Sequence, residues 1–210
     1  MFTKTKLPSS LKAICLAAAL CAGASAQAAI TVYTSQADFL SHTSAAGTDT
    51  FDDLRVQSYA DTLYRTAGTY TYQAYSGTGL WGAGGTDGDY WLSNNDRRNP
   101  IVFSNFSGSV SAFGGYFFPS DVFGQYTAGS VILTAIDGTV STYNLADANT
   151  SSFLGFVSDT PLSSVVLGTD GGQYWPTAND VVLAVPEPAT YGMLLGGLAL
   201  VGVAARRRRG

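Results

Sequence analysis

The chain has 210 residues, and its charge is unevenly placed: Lys4, Lys6 and Lys12 open it, Arg206 to Arg209 close it, and the middle is acidic. Residues 29–185 hold 14 Asp against 4 Arg, a net charge of −10, with no Lys and no Glu. Such a surface repels phosphate backbones and excludes nucleic acid as the expected partner, and with Cys15 and Cys21 both near the start, the middle has no disulfide framework, zinc site or catalytic thiol.

In chain order, residues 1–28 come first. Three lysines, an apolar run from about Ala13 to Ala22 and the small-residue triplets Ala24-Ser25-Ala26 and Ala26-Gln27-Ala28 read as a secretory signal peptide. The apolar run is shorter than the roughly 20 residues a membrane span needs. The expected route outward is the Sec translocon.

Residues 29–184 are long enough for one domain with its own core. The first element expected is a short helix over Gln36 to His42, with Ser35 as its cap and Asp38 three residues on. Everything else reads as short strands broken by turns. Candidates are "ITVYT" (30–34), "TDTF" (48–51), "TYTYQAY" (69–75), "YWLS" (90–93), "IVFSNF" (101–106) and "SVSAFGGYFF" (109–118). They continue with "SVILTAI" (130–136), "TVSTYNL" (139–145), "SFLGFVS" (152–158), "LSSVVLG" (162–168) and "DVVLAV" (180–185). Asp137-Gly138 predicts a two-residue hairpin turn. Residues 77–99 read as loop. The pattern predicts an all-β fold: a single β-sandwich, jelly-roll-like, with one short amino-terminal helix.

Few groups in this domain can do chemistry. His42, the one histidine, sits on the expected helix and suits packing or solvent better than a catalytic triad. Asp pairs leave open a secreted glycosidase-like hydrolase, although neighbouring Asp52 and Asp53 would point to opposite faces of a strand. Asp52, Asp53, Asn179 and Asp180 flank the expected first and last strands and form a candidate structural calcium site, because calcium takes carboxylate and amide oxygens; ordinary turn chemistry explains the same residues. Trp81, Tyr90, Trp91, Tyr174 and Trp175 lie in loop-like sequence. Flat rings there can stack on sugars, which makes Trp81, Trp91 and Trp175 the candidate ligand residues; plugs capping the core are the alternative.

The last stretch, "VPEPATYGMLLGGLALVGVAARRRRG" (185–210), has a Pro-Glu-Pro triplet, 17 uncharged residues from Ala189 to Ala205, and a basic end. As a helix that run reaches about 25 Å, near the lower limit for a span, and the arginines favour the cytoplasmic side. The order and spacing of these parts closely resemble the PEP-CTERM protein-sorting signal of Gram-negative bacteria. The resemblance implies that Pro186, Glu187 and Pro188 are the recognition triplet and that residues 189–205 are a transmembrane helix. It implies that Arg206, Arg207, Arg208 and Arg209 are the stop-transfer cluster, and that an exosortase in the inner membrane processes the tail. It also implies delivery to the envelope or an exopolysaccharide matrix. The "TFDDL", "AFGGYFF" and "FLGFVSDTPLSSV" stretches resemble, loosely, bodies found ahead of such tails. The expectation is therefore an exported, non-catalytic envelope or matrix protein, with polysaccharide as its ligand and the hydrolase as the alternative.

Overall fold

A computed structural model describes residues 29–187. The expected signal peptide and the expected transmembrane helix with its arginines lie outside the described residues. Among the described residues are thirteen strands, one α-helix and a short 3-10 helix (Asp170–Gly172 before the last strand), in the order β1 (Ile30–Tyr33), α1 (Gln36–Ser41), β2 (Thr43–Asp49), β3 (Thr62–Ala67), β4 (Tyr70–Tyr75), β5 (Leu80–Thr86) and β6 (Asp89–Asn94). Then follow β7 (Ile101–Ser104), β8 (Ala112–Ser120), β9 (Gly129–Ile136), β10 (Val140–Ala148), β11 (Phe153–Ser158), β12 (Ser164–Thr169) and β13 (Trp175–Pro186).

The strands form two antiparallel sheets. The first runs β1-β11-β8-β13-β6-β5, and the second β10-β9-β12-β7-β4-β3. β13 organises the first sheet. One long edge pairs with β8, while the other meets β6 at Ala178 and β2 from Val181 to Pro186. Alternation drives the assembly, since successive side chains point to opposite faces. Leu92, Phe117, Ala178 and Leu183 from the first sheet and Phe103, Leu133, Val165 and Leu167 from the second are all fully buried in one cluster. Phe113 stands between Phe103 and Phe117, with ring centroids 5.1 and 6.0 Å away. This is the expected β-sandwich.

The helix is where the sequence placed it. The Ser35 side chain accepts the Asp38 N–H at 3.3 Å. α1 lies on the outer face of the first sheet, where Phe39 packs with Phe153, Ala112, Val182 and Ala184 in a second small core.

Four expectations change. The strand expected over 48–51 is β2, which ends at Asp49; Asp52 and Asp53 lie in the turn after it, so the strand argument about their opposite faces does not apply. The Asp49 side chain turns the chain there by accepting the Phe51 N–H at 3.2 Å. The stretch 77–99 is not mainly loop: it holds the β5–β6 hairpin. The Asp137 hairpin has a three-residue loop, because Ile136 pairs with Val140 and the Asp137 side chain accepts both the N–H and the hydroxyl of Thr139. Lastly, β13 starts at Trp175 and runs two residues past the expected domain end, with Pro186 opposite Thr43 and the Glu187 N–H donating to the His42 carbonyl at 3.1 Å.

Candidate functional site

The outer face of the first sheet carries two overlays. α1 covers one end. The loop after β8, residues 121–127, folds back over the other. Cross-strand register puts Trp81 opposite Ser93 and Thr177 opposite Phe118, and directly opposed residues share a face. Leu80, Leu92 and Ala178, which alternate with them, fill the core.

The loop is fixed by one side chain. Asp121 Oδ1 accepts the N–H groups of Phe123 and Gln125 at 2.9 and 3.0 Å, an Asx-type turn. The loop is tied to β5 by Gly84 N–H donating to the Gly124 carbonyl at 2.9 Å and by the Gln125 amide donating to Gly84 O at 3.3 Å. Between loop and sheet lies a cleft of about 140 Å³, lined by Trp81, Trp175, Asn94, Asn95, Asp121 and Val122 among others. Phe123, beside it, is 75% exposed.

The polar floor of the cleft is held from behind. Ser93 Oγ donates to the Pro176 carbonyl at 3.0 Å, and Thr177 Oγ1 donates to Ser120 Oγ at 2.7 Å. Asn94 is 2% exposed; its Nδ2 donates to the Asn99 carbonyl at 2.6 Å and to Ser76 Oγ at 3.3 Å. Its Oδ1 is buried with no partner among the described residues. A buried acceptor left unpaired costs about 1–3 kcal/mol; Asn94 lies opposite Leu80, so its side chain is on the core-facing side of β6 and not on the face of Trp81.

Two of the three expected ligand tryptophans, Trp81 and Trp175, are thus brought to one cleft from β5 and β13. They stand on strands, not loops. Trp91 does not line the cleft: it is half-buried, packs edge-on against Phe118, with centroids 4.9 Å apart, and rests against the core cluster.

The expected calcium residues divide. Asp53 is committed to Arg65, which donates to both its oxygens at 2.7 and 2.6 Å. Asn179 donates to Asp89 Oδ1 at 3.0 Å. Burial first, then the charges of Asp89 and Asp52, push the Asp180 carboxyl above its usual range. Among the described residues, no three carboxylate, His or Cys side chains are gathered in a metal-holding group. His42 lies over the Tyr33 ring at 4.9 Å and bonds through Nδ1 to the Asp38 carbonyl, with no carboxylate partner among the described residues.

Sequence reasoning missed the ion cluster at the start of the domain. Arg65, 10% exposed, donates to Asp49 and to Asp53, and Tyr72 O–H donates to Asp49 Oδ2 at 2.7 Å. Burial pulls the Arg65 pKa down, but the bonds to Asp53 and Asp49 outweigh it and leave it raised. Burial, then the Asp49 charge, pushes the Tyr72 phenol up. The cluster satisfies itself. A lone Arg in "TLYRTA" carried no signal that could have linked it to Asp49 and Asp53.

The start of the Pro-Glu-Pro triplet, by contrast, is visible as structure, since Pro186 and Glu187 are held against β2 and the end of α1. Among the described residues, no helix is long and apolar enough to cross a membrane.

No curated protein matches the sequence. Among solved structures, an exo-β-1,3-galactanase from Phanerochaete chrysosporium, crystallised with galactose, is similar at 10% identity and a TM-score of 0.30, over 74% of this chain and 29% of that one. The chain therefore spans well under two thirds of that enzyme's length. The description of the PEP-CTERM protein-sorting motif matches residues 184–209. The chain carries, starting within the last strand of its β-sandwich, the PEP-CTERM motif by which an exosortase sorts exported proteins.

Proposed function

We propose that this is a non-catalytic polysaccharide-binding protein of the cell envelope or extracellular matrix, delivered there through its PEP-CTERM motif. The observation that carries the reading is the convergence of Trp81 and Trp175 on one cleft with Asn94, Asn95 and Asp121. Sugars offer flat C–H faces and rings of hydroxyls. Indole faces match the first, and side-chain amides and a carboxylate match the second. The alternative, a secreted hydrolase, needs two carboxyl groups facing one another across a cleft, about 5–9.5 Å apart. Asp121 lines the tryptophan cleft without a second carboxylate among the lining residues, which favours binding over cleavage.

Affinity electrophoresis of the full chain in nonionic detergent, through gels containing a panel of bacterial polysaccharides, tests the reading. Retardation by at least one polymer is expected, with Trp81→Ala and Trp175→Ala each weakening it about tenfold. Release of reducing sugar from the retarding polymer would favour the hydrolase. Intact mass of the exported protein checks the sorting half: loss of the residues after the Pro-Glu-Pro triplet is expected, and a terminus still at Gly210 in cells with a working exosortase would contradict it.

A further inference from the structure

The domain has four arginines, and two of them have structural work. Arg65 sits in the Asp49–Asp53 cluster, and Arg55 donates to the carbonyls of Leu54 and Asp52 and lies 5.1 Å from the Tyr90 ring. Arg97 and Arg98 differ. Both are exposed, neither makes an ion pair among the described residues, and neither guanidinium donates a hydrogen bond there. Two adjacent cations without carboxylate partners stand out in a domain with 14 Asp.

Their position is fixed and specific. The turn that holds them is pinned by Asn94 Nδ2 on the Asn99 carbonyl, by Asn99 Nδ2 on Thr78 Oγ1 at 3.1 Å, and by the Arg98 N–H on Asp96 Oδ1 at 3.0 Å. Arg97 and Arg98 line a second hollow of about 340 Å³ with Thr169, Gly171 and Gly172. This hollow adjoins the tryptophan cleft: the Arg97 guanidinium carbon lies 5.9 Å from the centre of the Trp175 ring, which lines that cleft, and Asn95, two residues before Arg97, lines it too.

Resting on the saccharide reading, we infer that the ligand is an acidic polysaccharide: the tryptophan cleft takes one sugar ring, and Arg97 and Arg98 take the carboxylate of a neighbouring uronic acid residue. Guanidinium groups match carboxylates with paired N–H donors. They also supply the local positive charge without which a domain of net charge −10 would repel a polyanion. Asp96 is engaged by the Arg98 N–H and Asp121 by two backbone amides, while Asp170, between the lining residues Thr169 and Gly171, is exposed and makes no ion pair with either arginine among the described residues.

The test uses the full chain in nonionic detergent, with polygalacturonate and alginate as probes, each beside the same polymer after reduction of its carboxyls to alcohols. Affinity electrophoresis is expected to show roughly five- to tenfold tighter binding to an acidic form than to its reduced form at low salt, with the gap closing as salt screens the charges. The R97Q/R98Q variant is expected to close the gap while still binding the reduced polymer, which also reports that it is folded. Equal binding of both forms by the unaltered chain, or a gap unchanged in R97Q/R98Q, would overturn the inference and leave the saccharide reading standing. Loss of both forms in R97Q/R98Q with an unaltered circular-dichroism spectrum would place the arginines in the neutral site and overturn the charge assignment. Retardation by none of the four polymers would count against the saccharide reading itself, and the inference would fall with it.

Discussion

Asp49 is the residue on which the opening of the domain depends most. Its carboxylate is 5% exposed and accepts from Arg65, Tyr72 and the Phe51 N–H. Removing it leaves Arg65 paired with the exposed Asp53 alone and the buried Tyr72 hydroxyl and Phe51 N–H without their acceptor, at a cost of about 1–3 kcal/mol. Asp49→Ala is therefore expected to destabilise by that amount in urea unfolding, and a loss below about 1 kcal/mol would show that the cluster contributes little. Asp180 has the opposite sign. Its raised carboxyl pKa means that ionisation costs stability: the cost is fully present above the folded pKa and disappears as pH falls through it. Asp180→Asn is expected to raise the melting temperature at pH 7, with a smaller gain near pH 3. The pH dependence is the diagnostic part, because Asp180 has φ of 47° and Asn tolerates that conformation well. An equal gain at both pH values would contradict the assignment. Asp137 behaves as carboxylates more often do. Burial opposes its charge, but bonds from Ser158, Thr139 and Thr160 prevail and hold its carboxyl below the usual range. Its contribution is present above the unfolded pKa and fades as pH falls through the folded one.

At the scale of elements, α1 and the β9–β10 hairpin could be read from local chemistry, through the Ser35 cap and Asp137-Gly138. β5, "LWGAGGT", could not, because its glycines read as loop. Gly82 is there for a different reason: a Cβ at that position would collide with the Arg55 carbonyl, so the glycine marks a close approach of the β2–β3 connection to β5. β2, "TSAAGTD", has weak strand propensity and is held by pairing with β13, which is distant in sequence. The cleft was half legible. Trp81 and Trp175 were recognisable as unusual aromatics, but their meeting depends on β5 and β13 both flanking β6 and on a loop contributed by β8. The contact between α1 and β11 gives a test at this scale. Gly155 lies under the Phe39 ring, where any Cβ would clash. Gly155→Ala is expected to destabilise by about 1–3 kcal/mol through overpacking, read as a lower denaturant midpoint; an unchanged midpoint would show that α1 shifts freely on the sheet.

For the whole molecule, the division of the first sheet's outer face explains how a stable scaffold and a binding surface coexist. The inner faces and α1 bury the large apolar side chains, and the β5–β6–β13 end leaves Trp81, Trp175 and Phe123 near solvent, under a loop fixed by Asp121. The PEP-CTERM motif begins inside the last strand, so the candidate site and the start of the motif are carried by the same element, with Trp175 at its start and Pro186 at its finish. The chain contains three tryptophans, and two line the cleft, which makes their fluorescence the most direct probe of the central claim. Titration of the full chain with a polysaccharide that retards it is expected to change tryptophan emission saturably, and the change is expected to vanish in a Trp81→Phe/Trp175→Phe variant that retains Trp91 alone. A saturable change of equal size in that variant, or retardation with no change in the unaltered chain, would contradict a binding site at Trp81 and Trp175.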